Sequence, residues 1–129
     1  MGGLKIKKIL LVEDDLFILN MYKEKIEKKN FKVECAEDGI SALEIARESI
    51  PDAILLDVVM PLMDGFETLQ AIKKDEKLRG IPIILLTNLG QREDVEKGLK
   101  MGAADYIIKA HFTPSEVVDK INSVIENNQ

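Results

Sequence analysis

The chain has 129 residues, of which 46% are hydrophobic and 32% charged, and its formal net charge is −5. This length predicts one domain over residues 1–129 with a hydrophobic core, and the composition excludes an intrinsically disordered chain. The acidic balance argues against direct binding to nucleic acid.

Short apolar runs alternate with segments of helical periodicity five times along the chain. The predicted strands lie near residues 8–12, 32–36, 53–57, 82–87 and 105–108. The predicted helices lie near residues 15–29, 39–49, 65–75, 91–101 and 114–127. This alternation indicates βαβ units, and therefore an α/β fold whose parallel sheet is covered by helices on both faces.

Several helix ends carry recognisable signals. Residues 113–116 (Thr-Pro-Ser-Glu) form a capping-box sequence with proline at the first helical position, and residues 64–67 (Asp-Gly-Phe-Glu) open the third helix in a similar way. Asn30 and Gly102 stand where helices one and four should end, which suits a left-handed residue. Helix four is predicted to be weak, because Gly98 interrupts it and its apolar residues are few: Val95, Leu99 and Met101.

The sequence also indicates a cytoplasmic protein with no membrane association. No apolar run approaches the ~20 residues that a membrane-spanning helix needs. The apolar stretch after Lys8 ends at Glu13, which is too short for the core of a signal peptide. The lone Cys35 cannot form an internal disulfide, which fits a reducing compartment.

Polar residues stand at the ends of four predicted strands. The first strand runs into Glu13, Asp14 and Asp15; the others end at Asp57, at Thr87 with Asn88, and at Lys109. Because ligands of an open parallel sheet bind outside the carboxyl ends of its strands, we expect these groups to converge. Such a set suits a divalent cation and a phosphoryl group.

The carboxylates at this site need a compensating charge. Two carboxylates about 4 Å apart repel by roughly 4 kcal/mol at an effective dielectric constant of 20. Oxygen-only ligands in small number suit Mg²⁺. With Mg²⁺ bound, Asp57 can act as a nucleophile towards phosphorus. Lys109, the Thr87 hydroxyl and the Asn88 backbone N–H can then contact the phosphoryl oxygens.

These motifs resemble the receiver domains of response regulators in two-component signalling, over residues 6–127. The matching segments are residues 11–15 (Leu-Val-Glu-Asp-Asp), 56–65 (Leu-Asp-Val-Val-Met-Pro-Leu-Met-Asp-Gly), 86–87 (Leu-Thr) and 102–109 (Gly-Ala-Ala-Asp-Tyr-Ile-Ile-Lys). The resemblance implies a flavodoxin-like fold, a doubly wound five-stranded parallel sheet of strand order 2-1-3-4-5. It also implies that a histidine kinase or phosphotransfer protein phosphorylates Asp57.

The resemblance further implies roles for individual residues. Mg²⁺ would be held by Asp14, Asp57 and the Val59 carbonyl, with Glu13 reaching it directly or through water. Thr87 and Tyr106 would form a switch, and the surface of helix four, strand five and helix five would change its affinity for a target protein or an output domain. A phosphorylation-dependent homodimer is a further expected partner.

One departure from the family pattern concerns the last loop. The family usually has Lys-Pro with a cis peptide bond, whereas this chain has Ala110 after Lys109, then His111 and Phe112. We expect the Lys109–Ala110 bond to be trans, because a cis bond before a residue other than proline costs about 2.5–4 kcal/mol. His111, the only histidine, is expected to be an ordinary loop residue.

Three other functions fit this sequence less well. An aspartyl-phosphate hydrolase of the haloacid-dehalogenase type would need a second Asp where Val59 stands, and a cap domain. A flavin-binding electron carrier would need a phosphate loop rich in small residues after the first strand, where three acidic residues stand instead. A pseudo-receiver that only docks would not need the complete acidic site.

Overall fold

The structure, a computed structural model, describes residues 6–60, 62–88, 92–109 and 113–128. The strands are β1 (Lys8–Val12), β2 (Lys32–Ala36), β3 (Ala53–Asp57), β4 (Ile83–Thr87) and β5 (Asp105–Ile108). The helices are α1 (Leu16–Glu27), α2 (Gly39–Ser49), α3 (Gly65–Lys74), α4 (Arg92–Lys100) and α5 (Pro114–Asn127). The predicted order of elements is confirmed, and the bounds agree with the predicted ones within two residues; α1, which begins one residue later and ends two residues earlier than predicted, differs most.

All five strands form one parallel sheet of order β2-β1-β3-β4-β5. This confirms the predicted flavodoxin-like topology. The register brings the carboxyl ends of the central strands level, because Val12 pairs with Leu56, Asp57 with Leu86 and Thr87 with Ile108. Residues that follow β1, β3, β4 and β5 therefore meet at one edge of the sheet.

The sheet has a hydrophobic cluster on each face. Ile9 and Leu11 belong to the cluster under α1 and α5, while Leu10 and Val12 belong to the cluster under α2 and α3. This alternation follows from the two-residue period of a strand. Because both faces are covered, the central strands β3 and β4 are apolar up to their last residue and are buried along their whole length.

The predicted helix signals are mostly confirmed. Asp64 and Glu67 form a complete capping box at α3. The Thr113 hydroxyl accepts from the Glu116 N–H but donates to the Glu116 carboxylate, so only the first half of the predicted box forms at α5. Asn30 and Gly102 have φ of 68° and 110°, which confirms their left-handed conformation.

Contrary to the prediction from the sequence, Gly98 does not interrupt α4. The helix is continuous through Gly98, and this glycine is the buried residue of α4, while Leu99 is 40% exposed. A Cβ atom at position 98 would lie 2.0 Å from Cδ1 of Leu85 on β4. Gly98 is therefore the point at which α4 approaches the sheet. No helix in the described ranges is long and apolar enough to cross a membrane.

Candidate functional site

Three carboxylates lie together at the carboxyl end of the sheet. Glu13 and Asp14 follow β1, and Asp57 is the last residue of β3, the neighbouring strand. One carboxylate oxygen from each of the three residues lies within 4.8 Å of those from the other two. Glu13 and Asp57 are only 1% and 4% exposed, whereas Asp14 is exposed to solvent. The site therefore has two buried carboxylates and one at its mouth.

Asp15 does not share this site, although it continues the same acidic run. Its carboxylate accepts hydrogen bonds from the backbone N–H of Phe17 at 2.9 Å and of Ile18 at 3.2 Å. It is the N-cap of α1, where a carboxylate satisfies free N–H groups and opposes the positive end of the helix dipole. The segment between β1 and α1 is also held by the backbone N–H of Asp15, which donates to the Glu13 carboxylate.

Lys109 connects the two buried carboxylates from the end of β5. Its ammonium lies 2.5 Å from Oε1 of Glu13 and 3.0 Å from Oδ2 of Asp57. The backbone N–H of Lys109 continues the ladder of β5 by donating to the Thr87 carbonyl at 2.9 Å. The lysine is thereby fixed at its backbone as well as at its ammonium group.

The pKa shifts follow from this burial and pairing. Burial raises the pKa of Glu13, and the neighbouring Asp57 raises it further, while Lys109 partly opposes both effects. Burial on its own lowers the pKa of Lys109, but the hydrogen bond with Glu13 and the field of Asp57 outweigh it, so the pKa lies above its usual value. Lys109 is therefore a stable cation at neutral pH.

The residues present fit a magnesium ion. Oxygens that share one Mg²⁺ lie at most about 4.2 Å apart, because each is about 2.1 Å from the metal. The carboxylate oxygens lie within 4.8 Å of one another, so small side-chain rotations would bring them into that range. The three carboxylates carry three negative charges, and the Lys109 ammonium contributes one positive charge. The net charge of these groups is therefore −2, which a divalent cation offsets.

Thr87 and Val59 border the carboxylates on either side. Thr87, 1% exposed, ends β4, and its hydroxyl makes a long hydrogen bond of 3.5 Å to the Ile107 carbonyl. Such a bond is weak, so the hydroxyl can change partner at little cost. Val59 is 58% exposed, and its N–H donates to Asp57 Oδ1 at 3.3 Å. Asn88 is an exposed residue directly after Thr87.

Tyr106 lies on β5, beside β4, and is half-buried against the cluster under α2 and α3. Lys120 of α5 holds this strand. Its ammonium lies 4.8 Å from the centre of the Tyr106 ring and donates to the Tyr106 carbonyl at 2.8 Å and to Asp105 at 2.9 Å. Tyr106 therefore lies beside β4 and contacts α5 through Lys120.

Two residues near the site were given no functional role by the sequence. The hydroxyl of Tyr22, on α1, donates to the Lys109 carbonyl at 3.4 Å. Gly65 begins α3, and a Cβ atom there would lie 2.3 Å from the Asp57 carbonyl oxygen. Glycine at 65 thus lets α3 pack directly on the end of β3. The position of Gly65 beside the Asp64 cap was visible in the sequence, but the close approach was not.

Some sequence predictions lie outside the described residues. They concern the Lys109–Ala110 peptide bond, His111 and Phe112. These remain predictions.

Comparisons with known proteins agree with this geometry. Residues 9–122 match the family model described as the response regulator receiver domain. Chemotaxis protein CheY of Halobacterium salinarum is 39% identical over 119 residues, which cover 92% of this chain and 97% of that protein. PhoB of Escherichia coli, a phosphate regulon transcriptional regulatory protein, is also 39% identical over 119 residues. These cover 52% of PhoB, and the chain likewise spans about half the length of several other curated relatives.

A solved structure with the same fold is described with a bound metal ion. The receiver domain of a sensor histidine kinase from Pseudomonas aeruginosa has a TM-score of 0.86 and 31% sequence identity to this chain. The match covers 95% of this chain and 99% of that one. That domain is described with a magnesium ion coordinated in its active-site cleft.

Proposed function

The chain belongs to the response regulator receiver family, and from this premise we propose that it is a signalling switch controlled by phosphorylation of Asp57. The observation that carries the proposal is the group of Glu13, Asp14 and Asp57 carboxylates with Lys109 between the two buried ones. A structural ion pair would need one carboxylate for one lysine. The other two carboxylates are not needed for such an ion pair, but they suit metal-assisted phosphoryl transfer.

We propose Asp14, Asp57, Glu13 and the Val59 carbonyl as the groups that hold Mg²⁺. When bound, the metal neutralises charge on the carboxylates and on the phosphoryl group that approaches them. Asp14 is at the mouth of the site, so it is accessible to a hydrated ion. Asp57 keeps one oxygen bound to the Val59 N–H, which orients the other towards the site.

In the proposed transfer, a carboxylate oxygen of Asp57 attacks phosphorus, and the bond from phosphorus to the donor atom breaks. The donor is a phosphohistidine of a histidine kinase or phosphotransfer protein, or a small acyl phosphate. Lys109 then exchanges part of its contact with Asp57 for a phosphoryl oxygen. The Thr87 hydroxyl and the Asn88 backbone N–H are proposed to donate to the remaining oxygens. Thr87 gives up only its long bond to Ile107.

This exchange is proposed to drive the switch. Movement of the Thr87 hydroxyl towards the phosphoryl group opens space beside β5, into which the Tyr106 ring turns. The ring would leave the Lys120 ammonium that lies over it, so the α4–β5–α5 surface changes. A target protein, an output domain or a second copy of the chain would bind the two states with different affinity. We propose that the protein acts in this way in the cytoplasm.

Intact-mass measurement tests the proposal. The purified chain is incubated with acetyl phosphate and Mg²⁺, and the same reaction is run in EDTA. We expect a gain of one phosphoryl group in Mg²⁺ and none in EDTA. Asp57→Asn should abolish the gain, whereas Asp52→Asn, which changes an acid at the other end of β3, should leave it intact.

The same experiment separates the competing functions. A docking module that is not phosphorylated would show no mass gain under any condition. A hydrolase of the haloacid-dehalogenase type would consume the acetyl phosphate continuously without retaining the label. Either result would overturn the proposed function.

A further inference from the structure

A second concave region lies at the opposite end of the sheet from Asp57. It has a volume of about 320 Å³ and is lined by the end of α3, the last turn of α5 and the segments that precede β4 and β5. The intervening strands have five residues, so at about 3.3 Å per residue the two regions are about 15 Å apart. This cavity therefore has no part in the chemistry proposed for Asp57.

Two cations line this cavity, and no carboxylate in the described part of the chain pairs with either of them. Across residues 6–60, 62–88, 92–109 and 113–128, neither Lys73 nor Arg79 makes an ion pair. Asp75, which lies between them in sequence, is paired with Arg47 on α2 instead. In a chain with a net charge of −5, two unpaired cations on one concave surface form a local site for an anion.

Lys73 is held in place rather than free in solvent. Its ammonium donates to the Arg79 carbonyl at 3.3 Å. Its aliphatic stem lies over Gly102, where a Cβ atom would be 2.9 Å from the Lys73 Cε. Burial, with no opposing acid, lowers the pKa of Lys73. The lysine thus has unused N–H donors in a fixed position, and an anion would supply the charge that its surroundings lack.

The rest of the cavity suggests the kind of anion. Ile81 and Val124 are buried side chains that form an apolar wall together with Pro82. Arg79 is exposed at the rim, and its planar guanidinium can bind two oxygens of one phosphate. A volume of about 320 Å³ is at the small end of the range for ligand pockets. The combination suits an oxyanion with a small organic group.

We propose that this cavity binds a small phosphorylated or phosphonate-like compound, with Lys73 and Arg79 holding the oxyanion and the wall of Ile81, Pro82 and Val124 contacting its organic part. Free inorganic phosphate carries the same kind of oxyanion, so Lys73 and Arg79 would also bind it. The apolar wall distinguishes the two sources, because only the organic ligand gains from contact with it.

Backbone amide NMR of the full chain tests the proposal. The protein is titrated in EDTA with inorganic phosphate or with phenylphosphonate, at constant ionic strength; phenylphosphonate cannot transfer a phosphoryl group to Asp57. We expect saturable shifts at residues 79–82, 102–104 and 124–128, with tighter binding of phenylphosphonate than of phosphate. Equal affinity for the two anions would refute the role of the apolar wall.

The matched variants separate a site from general charge attraction. Lys73→Gln with Arg79→Gln should weaken binding at least about tenfold, because each removes a charged donor. Lys74→Gln with Lys77→Gln removes the same charge from exposed residues that do not line the cavity, and should leave the affinity unchanged. Arg79→Gln alone keeps the test valid if the double variant is poorly folded. Linear shifts, equal weakening in both double variants, or shifts confined to the Asp57 end would overturn the proposal.

Discussion

Lys109 is the side chain on which the electrostatics of the site depend. Its ammonium contacts two carboxylates that are almost completely buried, Glu13 and Asp57. A buried carboxylate without a counter-charge is strongly destabilising. The lysine therefore stabilises the fold in the metal-free state, before any role in phosphoryl transfer is considered.

Replacing this lysine tests that conclusion. Lys109→Met keeps the stem and removes the charge, and we expect it to reduce the free energy of unfolding in EDTA by about 3 kcal/mol. Mg²⁺ should restore part of the loss. Urea unfolding of wild type and variant, with and without the metal, measures both effects.

Lys28→Met is the control, because it breaks an exposed ion pair with Glu24 whose side chains are 70% and 72% exposed. It should change stability by less than about 0.5 kcal/mol. If the two substitutions cost the same, the buried pairing of Lys109 is not important for stability.

Val59 is expected to influence how long the phosphoryl group persists. It is apolar, 58% exposed and hydrogen-bonded through its N–H to Asp57, so it can shield the phosphorus from water but cannot orient a water molecule. We expect Val59→Asn to accelerate loss of the phosphoryl group, as followed by intact mass after removal of the donor. Ile40→Asn, which alters an exposed apolar residue on α2, should not. Equal rates in all three proteins would contradict shielding by Val59.

Among the secondary-structure elements, α4 departs most from what helix propensity favours. Gly98 costs the helix about 1 kcal/mol relative to alanine, yet it permits contact with Leu85, which is completely buried. Packing against the sheet thus takes precedence over local preference.

Gly98→Ala measures the balance between these two effects. We expect a net loss of about 1–2 kcal/mol, because overpacking a core costs about 1–3 kcal/mol and exceeds the gain in propensity. Gly80→Ala is the matched control: nothing lies within 4 Å of its Cβ position and its φ is not left-handed. It should be neutral or stabilising by up to about 1 kcal/mol. A more stable Gly98→Ala protein would show that α4 can move away from Leu85 freely.

Coupling between β4, β5 and α4 is expected to depend on the Thr87 hydroxyl. Thr87→Ala should leave Asp57 phosphorylatable but reduce the response of α4, because no group would then link the phosphoryl oxygen to the end of β4. Amide chemical shifts of α4, recorded with and without beryllofluoride, report the response. Thr87→Ser keeps the hydroxyl and should respond as wild type does. Identical α4 shifts in Thr87→Ala and wild type would refute this coupling.

At the scale of the whole molecule, the packed sheet holds the like-charged carboxylates of Glu13, Asp14 and Asp57 close together. Mg²⁺ should therefore raise the melting temperature, because it binds the folded chain and not the unfolded one. Asp14→Asn should abolish that rise. In EDTA the same variant should melt about 2–4 °C higher than wild type, because it relieves repulsion of roughly 1 kcal/mol. Differential scanning calorimetry measures both changes.

Glu44→Gln controls for the general effect of removing a negative charge. Glu44 is exposed on α2 and lies outside the carboxylate group, so neither melting temperature should respond beyond experimental scatter. An Asp14→Asn protein that still responds fully to Mg²⁺ would exclude Asp14 from the metal site.

The order and type of the elements could be predicted from the sequence because their signals are local. Apolar runs of strand length, helical periodicity and caps such as Asp64 and Thr113 each act over a few residues. The alternation of strands and helices then restricts the topology, since crossovers between parallel strands have one hand. The convergence of Asp57 and Lys109 followed from that topology alone.

Only the tertiary structure decided which polar groups meet, because that depends on distances between segments far apart in the chain. Asp15 belongs to the same run of acidic residues as Glu13 and Asp14, but its carboxylate caps the start of α1 instead of joining the site. Lys109 pairs with Glu13 as well as Asp57, a contact between opposite ends of the chain. Gly98 appears unfavourable within its own helix and is explained by Leu85 on another element. Local patterns specify each element, whereas atomic contacts between elements are fixed only when the two faces of the sheet are packed.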